Sequence, residues 1–319
     1  MPLARAHAME RTRIFAGAAA ALGATTAYVH YKSAAAERAH RVRGKFIDVD
    51  GVRLHYLERG AGQPLVLVHG VGSMIDDFLL AGLVTRAAER YRVIAIDRPG
   101  YGRSTRPHDR RWTPAAQAEL LHRALARLHI YAPVLFGHSF GATVAMAYAL
   151  QYPVARLVLA SGYYYPGVRL DAPLLVPPAI PLAGTLLRHT VSPIIGRLLW
   201  PAWRRVIFSP APVPRRFRAF PAWLALRPSQ LRATGEDAAW LVPAVAEMAP
   251  QYSRLRVPTT IIAGADDRYV SARAHSMRLH GEIGGSELVL VPGAGHMVHH
   301  VAAPAVMQTI DAPRAALGI

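Results

Sequence analysis

One serine, one histidine and a pair of aspartates in this chain have the types and the order that nucleophilic catalysis needs. Ser139 lies at the centre of a G-x-S-x-G motif at 137–141. A serine hydroxyl is a poor nucleophile near neutral pH, so it needs a base to take its proton and a carboxylate to orient that base. Two adjacent carboxylates, Asp266 and Asp267, and then His296 follow further along the chain. We expect Ser139 as nucleophile, His296 as general base and one of the two aspartates as its partner.

Apolar runs typical of strands precede each of these residues. Residues 133–136 lead to the serine motif, and a small-residue helical run at 142–147 follows it. This is the strand-turn-helix context of a nucleophile elbow, where glycines allow the backbone to turn tightly. Residues 257–263 lead to the aspartate pair, and residues 286–291 lead to the Gly-rich loop before His296.

With these motifs the chain resembles the α/β-hydrolase superfamily over most of residues 46–319. The resemblance implies a mostly parallel central sheet with helices on both faces and no metal or cofactor. It selects Asp267 over Asp266, because the family's acid usually lies three residues beyond the glycine that ends the preceding strand. It also implies an oxyanion hole made by the backbone N–H groups of Val71 and Phe140.

Three further polar residues are interpreted as structural by the same resemblance. His69 ends the apolar run at 64–68, and Asp97 and Arg98 begin a Gly-rich loop after the run at 93–96. Because a complete triad is available elsewhere, we expect these side chains to support loops beneath the site.

Length and pattern predict one catalytic core with additions. The 319 residues are 52% hydrophobic, which is enough for a large core, and helix and strand signals alternate. The dipeptide at 50–51, Asp-Gly between two β-type runs, predicts a hairpin that opens the core near residue 45. We expect an N-terminal segment at 1–44, a core at 45–162 and 251–319, and a mainly helical cap at 163–250, inserted after the sixth strand.

The predicted cap is cationic and apolar. No acidic residue occurs between Ala172 and Gly235, whereas basic residues recur at Arg188, Arg197, Arg204, Arg205, Arg215, Arg216, Arg218, Arg227 and Arg232. Apolar segments broken by prolines would cover a water-poor pocket for an apolar group. Contact with a membrane surface is the alternative to simple packing onto the core. Tyr163, Tyr164 and Met297 are predicted substrate contacts.

The N-terminus has the order of a membrane signal. Arg5, Arg11 and Arg13 precede residues 14–31, which carry no formal charge if His30 is neutral. Eighteen residues reach roughly 27 Å as a helix, which barely spans a bilayer. We favour an uncleaved anchor over a cleaved signal or an amphipathic extension, and the sequence leaves the side of the membrane open.

Composition excludes several other classes. Without cysteine there can be no disulfide and no thiolate catalysis. Among the fifteen histidines, the cluster of His296, His299 and His300 lacks a regular metal-binding pattern, so His299 and His300 are predicted as helix-start or surface residues. The formal charge of +17 is scattered and no nucleic-acid-binding signature appears, so nucleic acid is not an expected partner.

These observations predict hydrolysis of a carboxylic ester with an apolar acyl or alkyl group through an acyl-enzyme. The nearest alternative is a carbon–carbon hydrolase of the meta-cleavage-product type, which resembles this chain in using serine, histidine, aspartate and a cap. An alternative from another class is a non-catalytic, membrane-tethered binding protein on a hydrolase fold. Such proteins usually lose a triad member, whereas this chain keeps all three.

Overall fold

The computed structural model describes residues 2–312 and contains one eight-stranded sheet. Its strands are β1 (Lys45–Val49), β2 (Val52–Arg59), β3 (Gln63–Val68), β4 (Tyr91–Ile96), β5 (Val134–His138), β6 (Arg156–Ala160), β7 (Thr259–Gly264) and β8 (Glu287–Val291). The order across the sheet is β1-β2-β4-β3-β5-β6-β7-β8. Strands β3 to β8 pair in parallel, while β1 with β2 and β2 with β4 pair antiparallel. The predicted mostly parallel sheet is confirmed.

The α-helices are α1 (Pro2–Ala39), α2 (Ile75–Ala81), α3 (Leu83–Ala87), α4 (Pro114–Arg127), α5 (Phe140–Ala149), α6 (Ala172–Leu175), α7 (Ala183–His189), α8 (Val191–Phe208), α9 (Ala222–Ala225), α10 (Pro228–Met248), α11 (Arg278–Glu282), α12 (Val298–Val301) and α13 (Ala303–Asp311). Short 3₁₀ turns cover Pro177–Ala179, Arg215–Ala219 and Ala249–Arg254, and a π turn covers Arg273–Met277.

Alternation along a buried strand builds the two faces of the core. In β3, Val66 and Val68 pack into the cluster that contains α4 and α5, whereas Leu65 and Leu67 pack into the cluster that contains α2, α3 and α13. Successive side chains of a strand point to opposite faces, so one fully apolar strand serves both layers. Helices therefore cover both faces of the sheet.

The hairpin forms where the dipeptide predicts it. Asp50 and Gly51 have φ angles of 50° and 78°, and β1 and β2 pair directly across them. Two consecutive positive φ values characterise the tight turn that matches the twist of paired strands. The first strand of the sheet thus begins at Lys45.

Between β6 and β7 the described chain forms no strand. Helices α6 to α10 lie here, and we call residues 166–254 the helical insertion. Phe208, Phe217, Phe220 and Leu224 of this segment form a buried cluster with Met74. The insertion is thereby packed onto the loop that precedes α2.

Near the N-terminus, residues Pro2–Ala39 form one helix of 38 residues, α1. Within residues 2–312, no helix combines the length and the apolarity that crossing a membrane would take. The uncharged stretch at 14–31 consists largely of alanine, glycine and threonine, which give little hydrophobic transfer energy per residue.

The C-terminal half of α1 packs against the helical insertion. Val29, Ser33 and Ala36 are buried and lie at i, i+4 and i+7, on one face of the helix. Glu37 forms an ion pair of 2.5 Å with Arg227 of the insertion, and its carbonyl accepts a hydrogen bond of 2.9 Å from Arg103 of the core. Helix α1 is therefore bound to both parts.

Candidate active site

Ser139 stands on the turn between β5 and α5. Its φ of 55° and ψ of −123° are strained for a residue with a side chain. The turn needs glycine on both sides. A Cβ at Gly137 would lie 2.4 Å from the carbonyl oxygen of Gly141, and a Cβ at Gly141 would lie 2.1 Å from the carbonyl oxygen of Val68. The motif glycines let strand and helix approach while Ser139 projects toward the site.

Three elements bring the predicted triad residues together. The Nε2 atom of His296 lies 3.0 Å from the Oγ of Ser139, and its Nδ1 atom lies 2.8 Å from Oδ2 of Asp267. All three side chains are buried. The other oxygen of Asp267 accepts the backbone N–H groups of Tyr269 at 2.8 Å and Val270 at 2.9 Å, which fixes the carboxylate. The geometry suits proton transfer from serine to histidine.

Asp266 has a different environment. It is exposed, and its Oδ2 accepts the backbone N–H of Gly293 at 2.9 Å. The bond joins the loop after β7 to the turn after β8, which leads to His296. Asp266 therefore connects two loops, whereas Asp267 is the carboxylate that contacts His296.

The loop after β3 is oriented by Arg98. Its guanidinium donates to the carbonyl oxygens of His69 at 2.8 Å and Gly70 at 3.0 Å, and His69 Nδ1 lies 2.8 Å from the same Gly70 oxygen. In a planar trans peptide, C=O and N–H point in opposite directions. The N–H of Val71 therefore points away from Arg98. Val71 lines the cavity beside Ser139.

Phe140 is the first residue of α5, so its N–H is one of the amides that a helix leaves without an intrahelical partner. The positive end of the helix dipole lies at the same place. The assignment of the Val71 and Phe140 amides as oxyanion donors stays a prediction.

His69 and Asp97 lie below this loop. His69 Nε2 accepts the backbone N–H of Arg98 at 3.0 Å, and burial together with the nearby Arg98 lowers the pKa of His69 to about 4. Asp97 accepts bonds from His55 at 2.7 Å and from the N–H of Ile75 at 2.8 Å. Both residues have the supporting positions that the sequence predicts.

A cavity of about 190 Å³ opens over Ser139 and His296. Its walls come mainly from the helical insertion and include Leu199, Trp200, Trp203, Phe217, Phe220 and Leu226. Leu174 and Ile195 line it and are also 47% and 39% exposed, so the mouth lies between α6 and α8. Among residues 2–312, neither a lysine nor an arginine lines the cavity.

Of the three predicted substrate contacts, the structure places one at the cavity. Met297 lines it beside His296. Tyr163 and Tyr164 do not; Tyr164 is fully buried in the core, and Tyr163 donates its hydroxyl to the carbonyl of Gly167 at 3.0 Å. This is a correction. After β6 the chain turns at Ser161, whose φ is 46°, and the tyrosines leave on the core side.

Tyr269 is a site residue that sequence reasoning missed. Its ring meets that of His296 edge to face, with centroids 4.8 Å apart, and Trp203 packs against it at 5.1 Å. Its position two residues after Asp267 was the available signal.

Asp237 of α10 was also missed. It is fully buried and accepts bonds from Arg98 at 2.5 Å, Arg106 at 3.0 Å and Tyr101 at 2.8 Å. Buried carboxylates persist when charged donors satisfy them. Asp237 connects the helical insertion to Arg98, which orients the loop after β3.

The prediction that His299 and His300 are helix-start or surface residues is half right. They begin α12 but are buried, and their Nε2 atoms lie 3.1 Å and 2.6 Å from the carboxylate of Asp77. Burial opposes ionisation, yet these two histidines hold the pKa of Asp77 well below its usual value. His138 donates its Nε2–H to the carbonyl of His296 at 3.0 Å, and its Nδ1 has no partner among the described residues. Burial holds the pKa of His138 well below its usual value.

Comparisons with known proteins agree with this architecture. A curated 2-hydroxy-6-oxo-2,4-heptadienoate hydrolase of Pseudomonas putida is 30% identical over 275 residues, covering 80% of this chain and 90% of that protein. Lipase 1 of Psychrobacter immobilis is 24% identical over 257 residues, covering 77% of this chain and 76% of the lipase. A bacterial membrane phospholipase A has a crystal structure that matches 97% of this chain and 100% of its own, with a TM-score of 0.64 and 20% identity.

The last of these likenesses shows the fold alone, because its identity is low. The family model described as alpha/beta hydrolase fold matches residues 63–303, which is most of the chain. Together with the sheet order and the elbow, this match shows that the chain belongs to the α/β-hydrolase family.

Proposed function

We propose that this protein hydrolyses a carboxylic ester with an apolar acyl or alkyl group through an acyl-enzyme on Ser139. The observation that carries the proposal is the continuous chain of hydrogen-bond distances from Asp267 through His296 to Ser139, at 2.8 and 3.0 Å, at the floor of an apolar cavity.

In the first half-reaction His296 Nε2 takes the proton of Ser139 while Oγ attacks the ester carbonyl carbon. The amides of Val71 and Phe140 hold the resulting oxyanion, and Asp267 stabilises the imidazolium. His296 then gives its proton to the leaving alkoxide, and an alcohol departs. Water, deprotonated by His296, attacks the acyl-enzyme, and the proton returns to Ser139 as the acid leaves.

The cavity supports an apolar substrate. Its aromatic and aliphatic walls exclude water, which strengthens the electrostatic contribution of the oxyanion donors. The absence of lysine and arginine from the lining, among the described residues, argues against a substrate whose carboxylate must be held inside it.

Carbon–carbon hydrolysis is the second candidate because the Pseudomonas putida relative is named as a hydrolase of that kind of substrate. The same serine and histidine would serve it. Such substrates are ketones that carry a carboxylate, so a cationic partner is needed where this lining offers apolar groups.

The test uses the full chain. We would measure intact mass after reaction with a fluorophosphonate probe, and hydrolysis of a series of p-nitrophenyl esters from two to sixteen carbons. We expect one adduct, absent in Ser139→Ala, and a rate optimum beyond the shortest esters. Ester turnover retained by Ser139→Ala would overturn the proposal. Turnover of a 2-hydroxy-6-oxo-dienoate, with none of any ester, would favour the second candidate.

We also propose peripheral contact with an anionic membrane surface. Leu182, Leu186, Leu198 and Leu199 of the insertion are 43–88% exposed, and Ile14 and Phe15 of α1 are 64% and 73% exposed. Arg197 and Arg205 are exposed on α8, the helix that carries Leu198 and Leu199, and form none of the ion pairs of the described chain. Apolar side chains among arginines suit lipid headgroups.

Vesicle sedimentation tests this contact. We expect the full chain to pellet with vesicles that contain anionic lipid, and less with vesicles of zwitterionic lipid. Replacing Leu182 and Leu198, which do not line the cavity, with serine should reduce binding without affecting hydrolysis of a short soluble ester. Equal sedimentation with both kinds of vesicle would refute the electrostatic part, and binding unchanged by the serine variant would refute the apolar part.

The division of the chain is proposed as follows: an N-terminal segment at 1–44, a core at 45–162 and 251–319, and a cap at 163–250. Residues 313–319 of that core lie outside the described residues. The cap supplies most of the cavity wall, so we expect changes in it to alter chain-length preference more than reaction with the fluorophosphonate.

A further inference from the structure

A second cluster of polar side chains lies next to the triad. Asp77 comes from α2, His138 is the last residue of β5, and His299 is in α12. Each offers one oxygen or nitrogen that lies within 4.8 Å of the other two. Their exposed fractions are 1%, 3% and 0%. The fold has thus brought one carboxylate and two imidazoles from three elements into one buried place.

The hydrogen bonds around this cluster leave nitrogen lone pairs without partners. Asp77 takes the Nε2–H of His299 and of His300, and His138 gives its Nε2–H to the carbonyl of His296. The Nδ1 atoms of His138, His299 and His300 are buried and have no hydrogen-bond partner. An imidazole that donates through Nε2 keeps a bare lone pair on Nδ1. His138 therefore brings a bare Nδ1 lone pair to the cluster. His299 can move its proton from Nε2 to the unpartnered Nδ1, which leaves the Nε2 lone pair 3.1 Å from the carboxylate oxygen of Asp77.

The cluster also carries a negative charge, which favours binding of a cation. A carboxylate that accepts from two neutral imidazoles retains one negative charge. Within the described chain, Asp77 forms ion pairs with His299 and His300 but with neither a lysine nor an arginine. Buried charges in proteins are normally paired with an opposite charge or coordinate a metal.

We infer that Asp77, His138 and His299 form a binding site for a divalent transition-metal cation such as Zn²⁺. Imidazole nitrogen and carboxylate oxygen are ligands that Zn²⁺ prefers, whereas Mg²⁺ and Ca²⁺ prefer oxygen alone. His138 can coordinate through Nδ1 without losing the proton that it donates to His296. The inference does not depend on which bond Ser139 attacks.

The cation would reach this site through the substrate cavity. Asp77 and His138 both line that cavity, so a cation held between them would be next to it. Three protein ligands and one open position are typical of accessible zinc sites. Because His138 bonds to the backbone of His296, occupancy of the site should also change the rate of Ser139 acylation.

The first test is calorimetric titration of the chelator-treated full chain with ZnCl₂, and separately with MgCl₂. We expect one Zn²⁺ to bind per chain and no Mg²⁺. His138→Asn and His299→Gln should each weaken Zn²⁺ binding by at least about tenfold. Affinity unchanged in both variants would overturn the inference, as would the lack of any zinc binding by the parent chain.

A matched control separates this site from a surface histidine pair. His30 and His189 are exposed, with nitrogens 3.0 Å apart, and offer a competing place for the metal. We expect His189→Gln to bind Zn²⁺ as the parent chain does. Loss of binding in that variant would assign the metal to the surface pair and overturn the inference.

A spectroscopic measurement covers the case in which the buried variants do not fold. Co²⁺ bound to nitrogen and oxygen ligands at low coordination number absorbs visible light far more strongly than hydrated Co²⁺. We expect the His189→Gln chain to give that spectrum with one equivalent of Co²⁺, and Zn²⁺ to remove it. A spectrum identical to that of hydrated Co²⁺ would overturn the inference.

Discussion

Replacing Asp237 with alanine tests how strongly the helical insertion is bound to the core. The carboxylate is fully buried and accepts from Arg98 at 2.5 Å, Arg106 at 3.0 Å, Tyr101 at 2.8 Å and Gln117 at 3.0 Å. The substitution leaves two buried guanidinium groups without this partner.

The size of the loss in unfolding free energy depends on which hydrogen-bond partners Arg98 and Arg106 keep after the substitution. Removing one member of a buried ion pair typically costs about 3–5 kcal/mol, because the other charge stays buried. Arg106 keeps Glu236 at 2.7 Å, and Arg98 keeps the carbonyls of His69 and Gly70. We therefore expect the lower part of that range, about 3–4 kcal/mol, and a melting temperature lower by roughly 5–12 °C.

Urea unfolding and a thermal melt measure this change, and Asp109→Ala is the control. Asp109 also pairs with an arginine, Arg110 at 3.0 Å, but its side chain is 59% exposed. Exposed pairs contribute little to stability, so the control should melt with the parent chain. Ester hydrolysis by Asp237→Ala should fall as well, since Arg98 orients the loop that carries Val71. Equal melting temperatures for Asp237→Ala and the control would refute the reasoning.

Three further expectations concern the site and its supports. Asp267→Asn should lower kcat for ester hydrolysis by on the order of 10⁴-fold, whereas Asp266→Asn should leave kcat within about tenfold of the parent value. If the two variants ranked in the reverse order, Asp266 would be the acid that orients His296. Gly141→Ala should have a melting temperature well below that of the parent chain, because its Cβ would lie 2.1 Å from a carbonyl oxygen of β3. Gly281→Ala is the control, since its Cβ would have no atom within 4 Å, and its melting temperature should match that of the parent chain. Equal melting temperatures for the two variants would contradict this account of the packing. Burial lowers the pKa of His275 to about 4 in the folded protein, whereas in the unfolded chain this histidine is protonated near pH 6.5. The free energy of unfolding is therefore not reduced by His275 above pH 6.5, and it falls by up to about 3 kcal/mol as the pH drops toward 4. Urea unfolding at pH 7 and 4.5 should show a smaller difference for His275→Gln than for the parent chain, and an equal difference would exclude this histidine as the source.

Local sequence signals carry most of the fold. The dipeptide at 50–51 predicts the hairpin because few residues tolerate consecutive positive φ, and apolar runs bounded by glycine predict the buried strands. The elbow at Ser139 is also predictable from nearby residues, because a Cβ at either of its two glycines would lie too close to a backbone carbonyl oxygen. In both places the residues adjacent in sequence determine the backbone conformation.

The missed features depend on contacts between distant residues. Asp77 meets His299 across 222 positions, and Asp237 meets Arg98 across 139. Nothing near His299 distinguishes a buried histidine from a surface one. Tyr164 was misassigned for a related reason, because the direction in which the chain leaves β6 depends on the turn at Ser161 and on the space available in the core.

The packing of α1 has a practical consequence for anyone who shortens this chain. Ala36 belongs to the same buried cluster as Met74 and Leu224, and Met74 directly precedes α2 at the end of the loop that follows β3. A chain that begins at Arg43 would expose this cluster to water and would lose the bond between Glu37 and Arg227. A weak activity measured on such a fragment would therefore report damage to the loop after β3 as well as the chemistry of the site.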